Sequence, residues 1–206
     1  MYKVKTFQVG LMLNNAYLIY DETTGESIVI DPTLAYNEIS AFCKDNNLLV
    51  SKVLLTHGHY DHIYDTFLFQ QENAKVYAHE HALFNINSEL TKHILQRRGK
   101  KIPNIDVFIK DGDIISLQND KIKVIHTPGH TECCCCFLFQ NYIFSGDTLF
   151  HRTYGRYDFE DSSFEKLKNS LKRILSIKEN LIVYPGHESP STLDEERKFN
   201  PILLDL

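Results

Sequence analysis

The sequence predicts a mixed α/β (α+β) fold, and three observations lead to it. The chain opens with short β-branched and aromatic runs joined by turn residues. It then passes to apolar strands separated by segments with apolar residues at helical spacing. Its histidines and aspartates gather directly after those strands, where a rigid element hands over to a loop. With 206 residues, 43% hydrophobic and 24% charged, the chain can bury one sizeable core, and its 13 Phe and 11 Tyr supply large apolar bodies in the absence of Trp. No linker, repeat or low-complexity tract divides it, so one domain over residues 1–206 is expected.

In chain order, residues 4–9, 16–20 and 27–30 read as an antiparallel opening, with Gly25 in the second turn. Asp31-Pro32 stops the third strand, and residues 36–43 carry apolar positions at helical spacing, Cys43 among them as a small buried hydrophobe. Residues 50–55 read as a buried strand, followed by a helix over 63–71 and a strand over 74–78. Residues 79–104 are the least legible stretch: a helix is expected near 88–98, broken by Gly99 and Pro103, with a lid or substrate-contact role open to it. Short strands over 114–117 and 122–125 follow, then strands over 133–139 and 142–144. Ser162-Ser163-Phe164-Glu165 is a capping-box pattern announcing a helix whose apolar face is Phe164, Leu167, Leu171, Ile174 and Leu175. A last buried strand over 181–184, a short helix over 193–198 and an apolar tail complete the chain.

Composition excludes several classes. A net charge of −5 argues against nucleic acid as a partner, because phosphate backbones require a basic surface. The basic stretch His93, Arg97, Arg98, Lys100 and Lys101 reads as a solvated helix end, with contact to a substrate carboxylate as its one functional alternative. No run reaches the length of a membrane span and the N-terminus has no signal-like apolar stretch, so a cytoplasmic protein without membrane attachment is expected. Four of the five cysteines are consecutive, Cys133 to Cys136, unlike the dispersed framework of a disulfide scaffold. They read as structural filler, with alternate side chains facing opposite sides of a strand. Composition does not speak to oligomeric state.

The chemistry is concentrated in Thr56-His57-Gly58-His59-Tyr60-Asp61-His62, three imidazoles and a carboxylate delivered by one strand end. Such a density suits a borderline-soft divalent metal. Three further strand ends deliver His130, Asp147 and His187. A mononuclear catalytic zinc takes three protein ligands and an open position, whereas this set offers seven donors, which points to two metals. A consistent division gives His57, His59 and His130 to one ion, Asp61, His62 and His187 to the other, and Asp147 to both as a bridging carboxylate. Asp61 and Asp147 are then also the catalytic carboxylates. Two ions about 3.5 to 4 Å apart can share a hydroxide and polarise a carbonyl, so no serine or cysteine nucleophile is needed. His126, beside Thr-Pro-Gly, reads as a hydrogen-bonding residue outside the ligand set.

Residues 56–62, His126-Thr127-Pro128-Gly129-His130-Thr131, Ser145-Gly146-Asp147-Thr148 and Pro185-Gly186-His187 together resemble the ordered motifs of the metallo-β-lactamase superfamily. Within it, Gly155-Arg156-Tyr157-Asp158-Phe159 and the stretch from Pro185 to Pro201 are similar to short bacterial members of the glyoxalase II (hydroxyacylglutathione hydrolase) branch. The resemblance implies an αββα sandwich, two mixed β-sheets face to face with helices outside. It also implies two divalent ions, zinc first with iron or manganese as substitutes, and a small-molecule thioester of the hydroxyacylglutathione type. Alternatives within the same fold are a persulfide dioxygenase with one iron, and a lactonase or other small-ester hydrolase.

Overall fold

Alternation along a few central strands sorts the apolar side chains into separate layers, and the helices follow from that sorting. The structure, a computed structural model, describes residues 1–205. β1 (Lys3–Val9), β2 (Asn14–Tyr20) and β3 (Glu26–Ile30) form the antiparallel opening. The chain then crosses through α1 (Tyr36–Asp45) to β4 (Leu49–Leu54), and through α2 (Tyr60–Ile63) and α3 (Thr66–Gln71) to β5 (Lys75–His79). α4 (Ala82–Ile86) and α5 (Glu89–Arg97) lead to β6 (Val107–Ile109). β3 to β6 pair in parallel, giving a mixed sheet of order β1-β2-β3-β4-β5-β6.

The second sheet begins with the antiparallel run β7 (Ile114–Ser116), β8 (Lys121–His126), β9 (Cys135–Phe139) and β10 (Tyr142–Gly146). A two-stranded hairpin of β11 (Leu149–Phe150) and β12 (Thr153–Tyr154) follows, and then α6 (Phe164–Leu175). β13 (Ile182–Pro185) pairs in parallel with β10 and antiparallel with β14 (Ser191–Thr192). α7 (Leu193–Phe199) and a 3-10 turn at Pro201–Leu204 end the described chain.

Three apolar clusters define the layers. Ile28 and Ile30 meet Phe137, Phe139 and Phe144 between the sheets, while Val29 turns outward to Ile39, Phe69 and Leu95 beneath α1, α3 and α5. On the second sheet, Cys135 points into the space between sheets, and Cys136 points out to Leu167, Leu171 and Ile174 of α6. Period-2 alternation with both faces covered produces the αββα sandwich anticipated from the resemblance. Among the described residues no helix is long and apolar enough to cross a membrane.

Several local expectations are corrected. The helix expected over 63–71 is two helices broken at Tyr64-Asp65, because the chain there docks on the loop after β3: Thr33 donates to the His62 carbonyl at 3.1 Å, and Asp65 donates to the Thr33 carbonyl at 2.8 Å. The strand expected from residue 133 starts at Cys135. Cys133 and Cys134 lie in a turn with both thiols within 3.2 Å of the Thr131 hydroxyl. The α6 N-cap is Ser163, whose hydroxyl accepts from Lys166, and Ser162 instead donates to the His130 carbonyl at 2.7 Å. β6, β11, β12 and β14 are too short to leave a periodic signal.

Candidate metal centre

The donors sit at one end of the sandwich, where strands of both sheets stop. After β4 the chain bends at Thr56, is extended at His59 and turns helical at Tyr60, which sets Asp61 and His62 on the first turn of α2. β8 leads to His130, β10 to Asp147 and β13 to His187. Cys135 donates its N–H to the Thr56 carbonyl at 2.8 Å, tying the two sheets together beside the cluster. Two glycines are required by this closeness. Gly146 takes φ +50° where a Cβ would collide with the Thr56 side chain, and a Cβ at Gly186 would collide with Asp147 Oδ1.

All seven side chains named in the sequence converge. His59 Nδ1 lies 3.1 Å from both His57 Nε2 and His130 Nε2. His187 Nε2 lies 3.4 Å from His62 Nε2 and 3.4 Å from Asp61 Oδ2. Asp147 stands between the two groups, 3.3 Å from His62 Nε2, 3.5 Å from His130 Nε2 and 3.5 Å from His187 Nε2. Two donors about 2.0 to 2.1 Å from one tetrahedral ion are about 3.3 Å apart, so these separations suit shared ions. Asp147 Oδ1 is buried without a hydrogen bond of good geometry and with His62 Nε2 3.3 Å away, an environment that calls for positive charge at this oxygen. The His and Asp clusters therefore fit a dinuclear divalent metal site.

Electrostatics divide the cluster. Burial, then the imidazoles of His62 and His59, holds His57 far below the ordinary histidine range, and burial with His130 brings His59 down to about 4. Burial opposes charge on His62 too, but Asp147, Asp61 and Asp31 outweigh it and hold the imidazolium well above the usual value. His187 is likewise disfavoured by burial, yet hydrogen bonds to Asp147 and Asp61 push it up to about 10. Burial would raise Asp61, but His62, His187 and Asn14 bring it down to about 2, and Asp147 is held well below the carboxylate range against its burial by His62 and His187. Protons on two histidines thus meet the demand of the carboxylates for positive charge, a demand that a divalent cation also meets.

Two residues escaped the sequence reading. Asp31 Oδ2 lies 2.9 Å from His62 Nδ1 and accepts from the Thr56 hydroxyl at 2.6 Å, and Asn14 donates to Asp61 Oδ2 at 2.9 Å. Asp31-Pro32 had read only as a strand stop, although its place at the end of β3, beside β4, was a usable signal. Backbone carbonyls do the same work elsewhere: Met12 for His187 Nδ1 and Arg156 for His130 Nδ1, each at 2.8 Å. Donation from Nδ1 turns Nε2 of His62, His130 and His187 toward the cluster as the atom that would bind a metal once it carries no proton.

The cluster forms the floor of a cavity of about 730 Å³, within the range of small-molecule sites. Phe84, Asn85, Ser88 and Leu90 line it, so the illegible stretch after residue 79 supplies one wall. The basic stretch does not reach it: Lys100 pairs with Asp65, Arg98 covers Tyr64 and Lys101 covers Phe67. That corrects its reading as a contact for a substrate carboxylate. His126 is no part of the cluster. Its Nε2 lies 2.8 Å from the Glu132 carbonyl and its ring stacks on His79 at 4.2 Å.

A family model described as the metallo-beta-lactamase superfamily matches residues 9–187. An uncharacterized protein of Aquifex aeolicus is 33% identical over 98% of this chain and 98% of its own. A hydroxyacylglutathione hydrolase of Francisella tularensis subsp. novicida is 34% identical over 85% of this chain and 63% of its own length. Among solved structures, TTHA1623 in a di-iron-bound form is 30% identical with a TM-score of 0.82, over 96% of this chain and 98% of that one. The BLEG-1 B3 metallo-beta-lactamase is 26% identical with a TM-score of 0.86, over 98% and 99%.

Proposed function

This chain belongs to the metallo-beta-lactamase superfamily, and on that premise we propose that it is a dinuclear metal-dependent hydrolase that cleaves a thioester. The observation that carries the reading is the convergence of seven candidate donors from four strand ends, five of them (His59, Asp61, His130, Asp147 and His187) lining an open cavity. His57, His59 and His130 would hold one ion, Asp61, His62 and His187 the other, and Asp147 both. Zinc or iron suits this set of nitrogen and oxygen donors, and the di-iron form of TTHA1623 supports iron as an occupant. When bound, such a pair lowers the pKa of a water and polarises the scissile carbonyl.

The chain's own residues do the rest. Asp61 and Asp147 lie at the cavity floor as ionised carboxylates, so they accept a hydrogen bond from the attacking water and aim it. Asp31, Asn14 and the carbonyls of Met12 and Arg156 keep the ligand side chains from rotating. The thiol leaves into the cavity, whose walls hold it until release. The hydroxyacylglutathione hydrolase relative supports a thioester over other acyl bonds.

The test assays one metal-analysed preparation against thioesters, lactones and a β-lactam. Thiol release that rises with metal content and saturates near two equivalents is expected. Metal-loaded protein that releases no thiol from any thioester would overturn the reading.

A further inference from the structure

Above the donor cluster the cavity wall has an apolar part and an acidic part. Met12, Phe84 and Leu90 are 48%, 52% and 62% exposed and all three line the cavity, as do Phe150, Tyr154 and Phe159. Large apolar side chains left in water around a concave site mark a surface that a ligand covers. Apart from the donor cluster, the charged wall residues are Glu160, Asp161, Glu188 and Arg156. The guanidinium is already engaged: Arg156 makes two hydrogen bonds to Asp158, at 2.6 and 2.7 Å, and lies over the Phe159 ring. Three carboxylates therefore face the cavity with no free cation among the wall residues.

We infer that the thiol half of the substrate is apolar and carries no net negative charge. This deepens the thioester reading and rests on it. With the carbonyl placed at the donor cluster, as the thioester reading requires, the carrier would extend along the wall, where Phe84, Leu90 and Met12 offer contact area. Glutathione brings two carboxylates into that space. Each meets Glu160, Asp161 or Glu188, and neither finds a guanidinium or ammonium to pair with. A carrier ending in an amide, an alkyl group or an ammonium meets no such repulsion. Like charges across a partly enclosed surface weaken association and are screened by salt over about 8 Å.

The experiment compares one acyl group on four thiols with the metal-reconstituted protein: glutathione, glutathione dimethyl ester, N-acetylcysteamine and thiophenol. The three thioesters without net negative charge are expected to exceed the glutathione thioester in kcat/KM by about tenfold or more, mostly through KM. The gap should narrow with added salt. The double variant Glu160→Gln, Glu188→Gln should shrink the ratio of N-acetylcysteamine to glutathione thioester several-fold. A glutathione thioester that is the best of the four, or a ratio that the double variant leaves unmoved, overturns the inference while the hydrolase reading stands. Absence of thiol release from all four overturns the thioester reading itself.

Discussion

The two halves of the donor cluster share Asp147 but differ in what surrounds them. His57, His59 and His130 face one another, and burial with mutual repulsion keeps His57 and His59 neutral. Asp61, His62 and His187 are laced with carboxylates, which hold both imidazoles protonated. A cation entering the first half would displace no proton from His57 or His59. A cation entering the second must displace two, and it gains the carboxylates in exchange. The two halves are therefore expected to load differently, although two donors of each lie within the six residues from His57 to His62.

The comparison breaks most completely at the shared residue. Asp147→Ala is expected to lose both ions and all hydrolysis, read by metal analysis beside the thiol-release assay; two retained equivalents with full activity would show that Asp147 bridges nothing. Next in size is Asp31→Asn, which removes the negative charge beside His62 Nδ1 and leaves one amide oxygen where two carboxylate oxygens now accept from Thr56 and face His62. Affinity in the carboxylate-rich half should fall about 10- to 100-fold in a chelator competition, with the imidazole half changed far less. An equal loss in both halves would erase the distinction.

Acidification sharpens it further. His187 is raised to about 10 and His62 well above its ordinary value, so both hold protons that a metal must displace, and affinity in their half should fall with falling pH. The slope approaches about tenfold per pH unit for each proton displaced. In the imidazole half His57 and His59 are held low, His59 at about 4, and should add nothing to the pH slope through neutral pH, leaving it shallower than in the other half. Metal titrations between pH 9 and 6 with calorimetric proton counting decide it, and parallel slopes would contradict it. The smallest effect is expected at Ser163, whose N–H donates to the Gly129 carbonyl and whose hydroxyl caps α6 beneath the His130 loop. Ser163→Ala should cost ~1 kcal/mol, lowering Tm by about 2 to 4 °C with metal content intact. Loss of one equivalent would tie the cap to the imidazole half.

Legibility in the sequence followed the range of the interaction. β4, α1 and α6 declare themselves because their apolar positions repeat over enough residues to register. β11, β12 and β14 are two residues each and exist only because neighbouring strands supply their partners. The split of the helix at Tyr64-Asp65 depends on Thr33, thirty-odd residues earlier, which no local pattern reports. Ser162 and Ser163 are equally good caps in isolation, and the His130 carbonyl claims the first.

The sequence by itself determined the candidate chemistry: which side chains could be donors, that each group follows a strand, and that they are more than one ion needs. Those facts are local, since residue type and strand ends are properties of short segments. Tertiary structure alone decided how the donors are supported and what they face. Asp31 and Asn14 became partners of His62 and Asp61 because β3 ends, and β2 begins, beside the segment that joins β4 to α2. The acidic and apolar cavity wall arose because α4, the β1–β2 turn and the loop before α6 meet over the cluster. Such meetings depend on how two sheets and their helices pack, and packing joins residues that the chain keeps far apart.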